Sequence, residues 1–255
     1  MKAVILCGGK GMRMGGEVSY TCKPLIKVGG MPILWHIMKI YKSYGINEFV
    51  LCLGHNGDAI KEYFLNLDWK TNDFQLKIGS NYKEIKILKN REEWNITFAD
   101  TGLDTMTGGR IKRIKKYISD DEFMLTYGDG VSDIPLDKLL NFHRQNRKIA
   151  TVTGVKQKSG FGFLEAEGDV VKSFIEKPLL NGWVNGGFFV LNREVFDFIE
   201  GDKTVWEQQP LKKLVQENQL AMYQHDGFWH CMDTVKDVHS LNELWNKNDK
   251  AWVRW

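Results

Sequence analysis

The chain has 255 residues, of which 43% are hydrophobic, and 35 Lys+Arg against 32 Asp+Glu give a formal net charge of +3. That length can bury a substantial core, and the small, interspersed charge lacks the basic stripe a nucleic-acid protein needs, so no nucleic-acid partner is expected. No apolar run is long enough to cross a bilayer, Met1 is not followed by a signal-peptide pattern, and Cys7, Cys22, Cys52 and Cys231 form no C-x-x-C pair, so no membrane anchor, disulfide framework or zinc site is expected and a reducing cytoplasm is the expected location.

The first strand-like run, KAVILC, breaks into GGKGMRM. Gly8, Gly9 and Gly11 let the chain turn sharply and bring backbone N–H groups to an anion at the end of a sheet. A Walker A loop is excluded because no Gly-Lys-Ser/Thr ends the run, and a dinucleotide fingerprint fails because Gly15 falls one residue late. The glycines alone read equally as a solvated turn. Arg13 and Lys23 favour the anion reading, since two cations beside exposed amides suit a polyphosphate and the charge that develops when one of its bonds breaks.

The helix PILWHIMKIYKSYG follows, with Pro32 in its opening turn, Ile33, Ile37, Met38 and Tyr41 on one face and Gly45 at its stop. The strand EFVLCLG and helix DAIKEYFLNL continue a βαβ grammar that predicts a mostly parallel sheet covered by helices. The alternation runs on through ITFADTG, the basic helix RIKRIKKYI, the strand EFMLTYGDG and the helix LDKLLNFHRQN. The expected fold is therefore α/β, a Rossmann-like three-layer α/β/α sandwich with a mostly parallel mixed sheet. RIKRIKK reads as a solvated helix face rather than a phosphate patch. Asp129 ends a strand between two glycines, which exposes its carboxylate; Mg²⁺ takes one or two such groups plus phosphate oxygens and water, while a lone strand-end aspartate reads also as a turn or cap residue. Asp133, before Ile134 and Pro135, is assigned to such a cap.

After IATVTGV the runs shorten, and GFGFLEAEGDVVKSFIEKP reads as a hairpin turning at EGD, a small β-rich insertion. NGG at 185–187 reads as a bulge or turn. The last third completes the sheet and builds the acceptor pocket. No repeat or clean boundary appears, so 1–255 is expected to be a single domain, with 1–150 binding nucleotide and 151–255 forming the acceptor-binding and C-terminal part. His36, His55, His143 and His225 are scattered and read as structural or surface residues. Trp245, Trp252 and Trp255 suit burial against a second subunit or back on the chain's own core.

The ordered blocks MKAVILCGGKGMRM, KPLIKVGGMPILWHIM, DTGLDTMTGGRIKR, TYGDGVSD, FIEKP, NGGFFVLN, WEQQPL and GFWHCMDT resemble, across essentially the whole chain, the nucleoside-triphosphate transferases acting on sugar 1-phosphates, and among them the glucose-1-phosphate cytidylyltransferases. The resemblance implies a nucleotidyltransferase fold, a CTP donor, Mg²⁺, the products CDP-glucose and pyrophosphate, and a homo-oligomer. It implies that Arg13 stabilises the leaving phosphates and that Lys23 bridges the α-phosphate and the incoming phosphate. Leu6, Gly8, Gly9, Gly11, Met12, Thr107, Gly108, Gly109 and Arg110 would join Arg13, Lys23 and Asp129 around the nucleotide. Asp129 and Asp233 would hold the metal. Tyr127, Glu176, Lys177, Asn185, Gly186 and Gly187 would hold the acceptor, with Trp206 and Glu207 as weaker candidates for its wall.

Three positions depart from the pattern. Met12 stands where the resembled family has a small hydroxyl residue, Cys22 lies in TCKP where the approach to the lysine is richer in proline, and Gly160 stands where an arginine is usual. These leave open another sugar phosphate, or a phosphorylated non-sugar, as acceptor. Thymidylyl, uridylyl or guanylyl transfer on the same fold ranks below cytidylyl transfer because of TGGR. A nucleotide-sensing module ranks last, since it need not keep Arg13, Lys23, Asp129 and Asp233.

Overall fold

A computed structural model describes residues 1–9, 22–88 and 92–255. Strand β1 (Lys2–Leu6) sends Ala3 and Ile5 into one buried cluster and Val4 and Leu6 into another, as a strand covered on both faces must. A short ribbon, β2 (Lys27–Val28) and β3 (Met31–Pro32), leads into α1 (Ile33–Ser43), whose Ile33, Ile37, Met38 and Tyr41 are all buried. Gly45, at φ 78, stops α1 as expected: its N–H donates to Lys42 O while that of Ile46 reaches back to Tyr41 O.

The chain continues through β4 (Glu48–Leu53), α2 (Gly57–Leu65), α3 (Leu67–Thr71), a two-stranded ribbon of β5 (Phe74–Ile78) and β6 (Lys83–Ile87), and β7 (Asn95–Asp100). Then come α4 (Thr107–Arg113), β8 (Glu122–Tyr127), β9 (Gly130–Ser132), α5 (Leu136–Asn146) and β10 (Ala150–Val155). The expected hairpin is β11 (Phe163–Glu167) and β12 (Val170–Ile175), turning through Gly168 at φ 59. The remainder is β13 (Val184–Asn185), β14 (Phe189–Asn192), α6 (Gln209–Gln216), β15 (Leu220–His225), β16 (Trp229–Cys231) and α7 (Val235–Asn246).

In the central sheet β7, β4, β1 and β8 run parallel in that order. β14 then joins β8 antiparallel, and β10 pairs antiparallel with β13 and β14 and parallel with β15. Ile37 of α1, Ile60 of α2, Leu139 of α5 and Leu241 of α7 belong to the buried cluster on one face; Ile111 of α4, Phe196 and Leu214 of α6 belong to that on the other. This is the mixed, mostly parallel three-layer α/β/α arrangement read from the sequence. Among the described residues no helix is long and apolar enough to cross a membrane.

Several local expectations are corrected. The basic helix starts earlier, at Thr107, and after Arg113 gives way to a tighter turn at Lys115–Tyr117. Arg110, Ile111 and Ile114 are buried, so the solvated face is confined to Arg113, Lys115 and Lys116. Asp133 is no helix cap: Pro135 occupies that position of α5, and Asp133 Oδ1 accepts from His225 Nε2 at 2.9 Å. A residue before proline is steered to extended backbone, which delays the helix beyond Asp133. Of the two placements open to the C-terminal tryptophans, Trp252 takes the chain's own core, fully buried with its ring beside those of His36, Phe228 and Trp245.

Candidate active site

β1 and β8 lie side by side with Leu6 opposite Tyr127, so the turn at Gly8 and Gly9 and the turn at Gly128 and Asp129 leave the sheet together. This is the carboxyl edge, where open α/β sheets bind ligands. Gly128 N–H donates to Leu6 O at 3.1 Å, and a Cβ on Gly128 would lie 3.0 Å from that oxygen, so a larger residue would press the two segments slightly apart. Gly11, Met12 and Arg13 lie outside the described residues.

Three residues from distant parts of the sequence meet at this edge. Lys23 opens a short 3-10 turn, Asp129 sits between β8 and β9, and Asp233 sits between β16 and α7, not within the C-terminal strand. Antiparallel pairing of β16 with β9 sets Cys231 opposite Gly130, and Met232 N–H donates to Asp129 O at 2.8 Å. Lys23 Nζ lies 2.6 Å from Asp129 Oδ2 and 2.7 Å from Asp233 Oδ1. Burial pulls the lysine's pKa down, but the charges and hydrogen bonds of the two aspartates outweigh it and hold Lys23 above the ordinary lysine value.

Asp129, Asp233 and Cys231 each offer a ligand atom, and the three atoms lie within 4.8 Å of one another. The carboxylates already enclose a cation, the Lys23 ammonium, and their hard oxygens suit a hard divalent ion; on both counts the pair fits a metal. Burial first, then the neighbouring carboxylates, push the Cys231 thiol well up, so it contributes no charge of its own. Sequence reasoning missed Cys231, which ends β16 two residues before Asp233 and reaches the cluster through the pairing of β16 with β9.

Of the residues expected around the nucleotide, Arg110 is only 4% exposed. Its guanidinium donates to Leu53 O, Gly102 O and Thr101 Oγ1 at 2.8–2.9 Å and to Gly8 O at 3.0 Å. A Cβ on Gly8 would come 2.3 Å from that guanidinium, and one on Gly54 2.4 Å. Arg110 thus lies beneath the glycine turn and ties it to the ends of β4 and β7. Gly108 and Gly109 also have a packing reason: added Cβ atoms would lie 2.8 Å from Thr204 O and 2.6 Å from Asp202 Cα.

Of the residues expected around the acceptor, Tyr127 closes β8 and Asn185 closes β13, and Asn185 Nδ2 donates to Tyr127 OH at 3.2 Å. Gly187, at φ 74, and Phe188, at φ 43, form the predicted bulge between β13 and β14. Gly187 N–H donates to Asn185 Oδ1 at 2.9 Å, and Trp229 Nε1 donates to Gly186 O at 2.8 Å. Glu176 and Lys177 follow β12 and pair with each other at 3.4 Å. Trp206 is core, packed edge-on to Phe189. Glu207 instead reaches into the site, where Oε1 accepts from Tyr127 OH and Oε2 from Thr107 Oγ1, each at 2.7 Å.

A lysine and two carboxylates meeting beside a glycine turn at the carboxyl edge of a parallel sheet suit the handling of phosphates. The chain belongs to the nucleotidyl transferase family, whose model matches residues 2–252. It is 49% identical, over 100% of both chains, to a Bacillus subtilis (strain 168) protein named "Probable glucose-1-phosphate cytidylyltransferase". It is 46% identical, again over 100% of both chains, to the glucose-1-phosphate cytidylyltransferase of Salmonella typhi. Among solved structures, HddC from Yersinia pseudotuberculosis shares the fold with a TM-score of 0.69 at 20% identity, over 96% of this chain and 99% of that one.

Proposed function

We propose that the protein is a Mg²⁺-dependent cytidylyltransferase that transfers CMP from CTP to α-D-glucose 1-phosphate, giving CDP-glucose and pyrophosphate. The observation that carries this reading is identity of 49% and 46%, over full length, to proteins bearing that name. An oxygen of the acceptor phosphate attacks the α-phosphorus of CTP, and the bond from that phosphorus to the pyrophosphate oxygen breaks in line. The attacking phosphate is an anion near neutral pH, so the protein's task is alignment and charge neutralisation rather than proton removal.

Asp129 and Asp233 would hold the Mg²⁺, which supplies positive charge to the reacting phosphates. Lys23, which pairs with these carboxylates at 2.6 and 2.7 Å, would neutralise a phosphate beside them. Arg13 would add charge on the leaving side. The glycine turn and the start of α4 form the nucleotide end, and Tyr127, Asn185 and the glycine bulge, with Glu176 and Lys177, form the acceptor end. The free state of all four cysteines fits a cytoplasmic setting, and a homo-oligomer is part of the same proposal.

Gly160 favours a second reading, a different phosphorylated acceptor. A Cβ there would meet nothing within 4 Å, so packing does not demand the glycine in place of the usual arginine. Pyrophosphate release with Mg²⁺, measured with each common ribonucleoside triphosphate and dTTP against a panel of sugar 1-phosphates and non-sugar phosphates, tests both readings. Release only with CTP and glucose 1-phosphate is expected, and Asp129→Ala should abolish it while the protein stays folded. Release with CTP and another acceptor would favour the second reading; no release with any pair would remove both.

A further inference from the structure

Glu207 lies where two directional hydrogen-bond chains end. On one side Trp206 N–H donates to Thr107 Oγ1 at 2.9 Å, and Thr107 donates its own proton to Glu207 Oε2. On the other, Gly187 N–H donates to Asn185 Oδ1, Asn185 Nδ2 to Tyr127 OH, and Tyr127 to Glu207 Oε1. A hydroxyl has one proton to give. The carboxylate, which only accepts, therefore fixes the sense of both hydroxyls and spends both protons.

The two chains end at different parts of the site. Thr107 is the first residue of α4, whose opening turn carries Gly108 and Gly109, and that turn is already docked on the segment holding Glu207: Met106 N–H donates to Asp202 O at 2.8 Å and Gly109 N–H to Thr204 O at 3.2 Å. Tyr127, Asn185 and Gly187 belong to the acceptor end. Tyr127 is half-buried, and its phenol is held far above the ordinary tyrosine pKa by burial first and then by the charge of Glu207, so it stays a donor. Glu207 is exposed, and no packing need accounts for a carboxylate there.

We propose that Glu207 is a positioning residue that couples the nucleotide end of the site to the acceptor end, setting the orientation of Thr107 and Tyr127 together. The inference rests on the transferase reading above. It predicts that Glu207→Ala raises KM for both CTP and glucose 1-phosphate about tenfold, the size expected when charge-assisted hydrogen bonds are lost, with a smaller change in kcat. Thr107→Val should raise chiefly the CTP KM and Tyr127→Phe chiefly the acceptor KM. In a Glu207→Ala background the two should become additive, whereas with Glu207 present each alters the effect of the other. Glu207→Gln, which keeps the shape and one acceptor oxygen, should fall between wild type and Glu207→Ala.

The experiment is steady-state kinetics of these full-length variants with both substrates varied, alongside their melting temperatures. A Glu207→Ala protein with both KM values within about twofold of wild type, or with only one of them raised, would overturn the coupling. So would a lowered melting temperature with unchanged KM values, the mark of a purely structural contact. If wild type itself releases no pyrophosphate from this pair, the functional reading fails and this inference with it; if wild type turns over and Glu207→Ala matches it, only the coupling fails.

Discussion

His36 is completely buried, yet its ring makes two hydrogen bonds of opposite sense. Nε2 lies 2.8 Å from Val28 O, which can only accept, while Nδ1 accepts from the indole N–H of Trp252 at 3.4 Å. The site is built for the neutral imidazole, because a proton on Nδ1 would face another N–H. Burial, aided by the charge of Lys250 and opposed by hydrogen bonds to the backbone of Val28 and Met31, lowers the pKa to about 4. Below its ordinary value near 6.5 the unfolded chain binds a proton that the folded protein refuses, so this stabilisation is complete above that value and is lost as pH falls towards 4. Between about pH 7.5 and about pH 5 it should remove about 2 kcal/mol of stability, a drop that urea titrations of wild type should show and that a His36→Gln control should lack. A Gln variant with the same acid loss would place the effect elsewhere.

Among the elements, α7 shows how a helix start can serve a site. Thr234 caps it, with Thr234 Oγ1 accepting from Asp237 N–H and the Asp237 carboxylate accepting from Thr234 N–H at 2.7 Å and from Asp233 N–H at 3.1 Å. Asp237 therefore holds the backbone of Asp233, which reaches Lys23 and Asp129. Asp237→Ala should cost about 1 kcal/mol of stability, the usual value of a lost cap, and should also raise the Mg²⁺ concentration needed for half-maximal activity several-fold. An unchanged metal requirement would show that the cap steadies the helix without steadying the ligand. The cap has a local signature, Thr234-x-x-Asp237, but its tie to the backbone of a residue that meets Lys23 and Asp129 does not. The elements that were legible, such as α1, α5 and the β11–β12 hairpin, have a clear period or turn signal and lie where the βα alternation or its change places them. The β5–β6 ribbon was not, because it stands off the sheet with its residues exposed, so neither helical period nor core burial marks it. Lys23 and Asp129 were legible as a cation and an exposed carboxylate near a sheet edge, whereas Asp233 was found through resemblance, since the β9–β16 pairing that brings it to Asp129 is non-local. Cys231 and Glu207 are polar side chains that acquire meaning only from their tertiary partners.

At the scale of the molecule, the site binds an early loop, the middle strand and a late turn into one ionic cluster, and this sets up a competition. Lys23 already occupies the gap between Asp129 and Asp233, at 2.6 and 2.7 Å, so a divalent ion entering there must displace the ammonium. Lys23→Met leaves the two carboxylates facing each other without that ammonium. Their repulsion should lower the melting temperature of the metal-free protein, and an ion that binds only the folded state then restores it. The rise in melting temperature on adding MgCl₂ should accordingly be larger in Lys23→Met than in wild type, where part of the binding energy is spent on breaking the lysine's contacts. Asp129→Asn should abolish the rise in both backgrounds, which separates this site from weak surface binding. Equal rises in wild type and Lys23→Met would mean that ammonium and metal do not share one place, and Lys23 would then meet the phosphates from a position it need not leave.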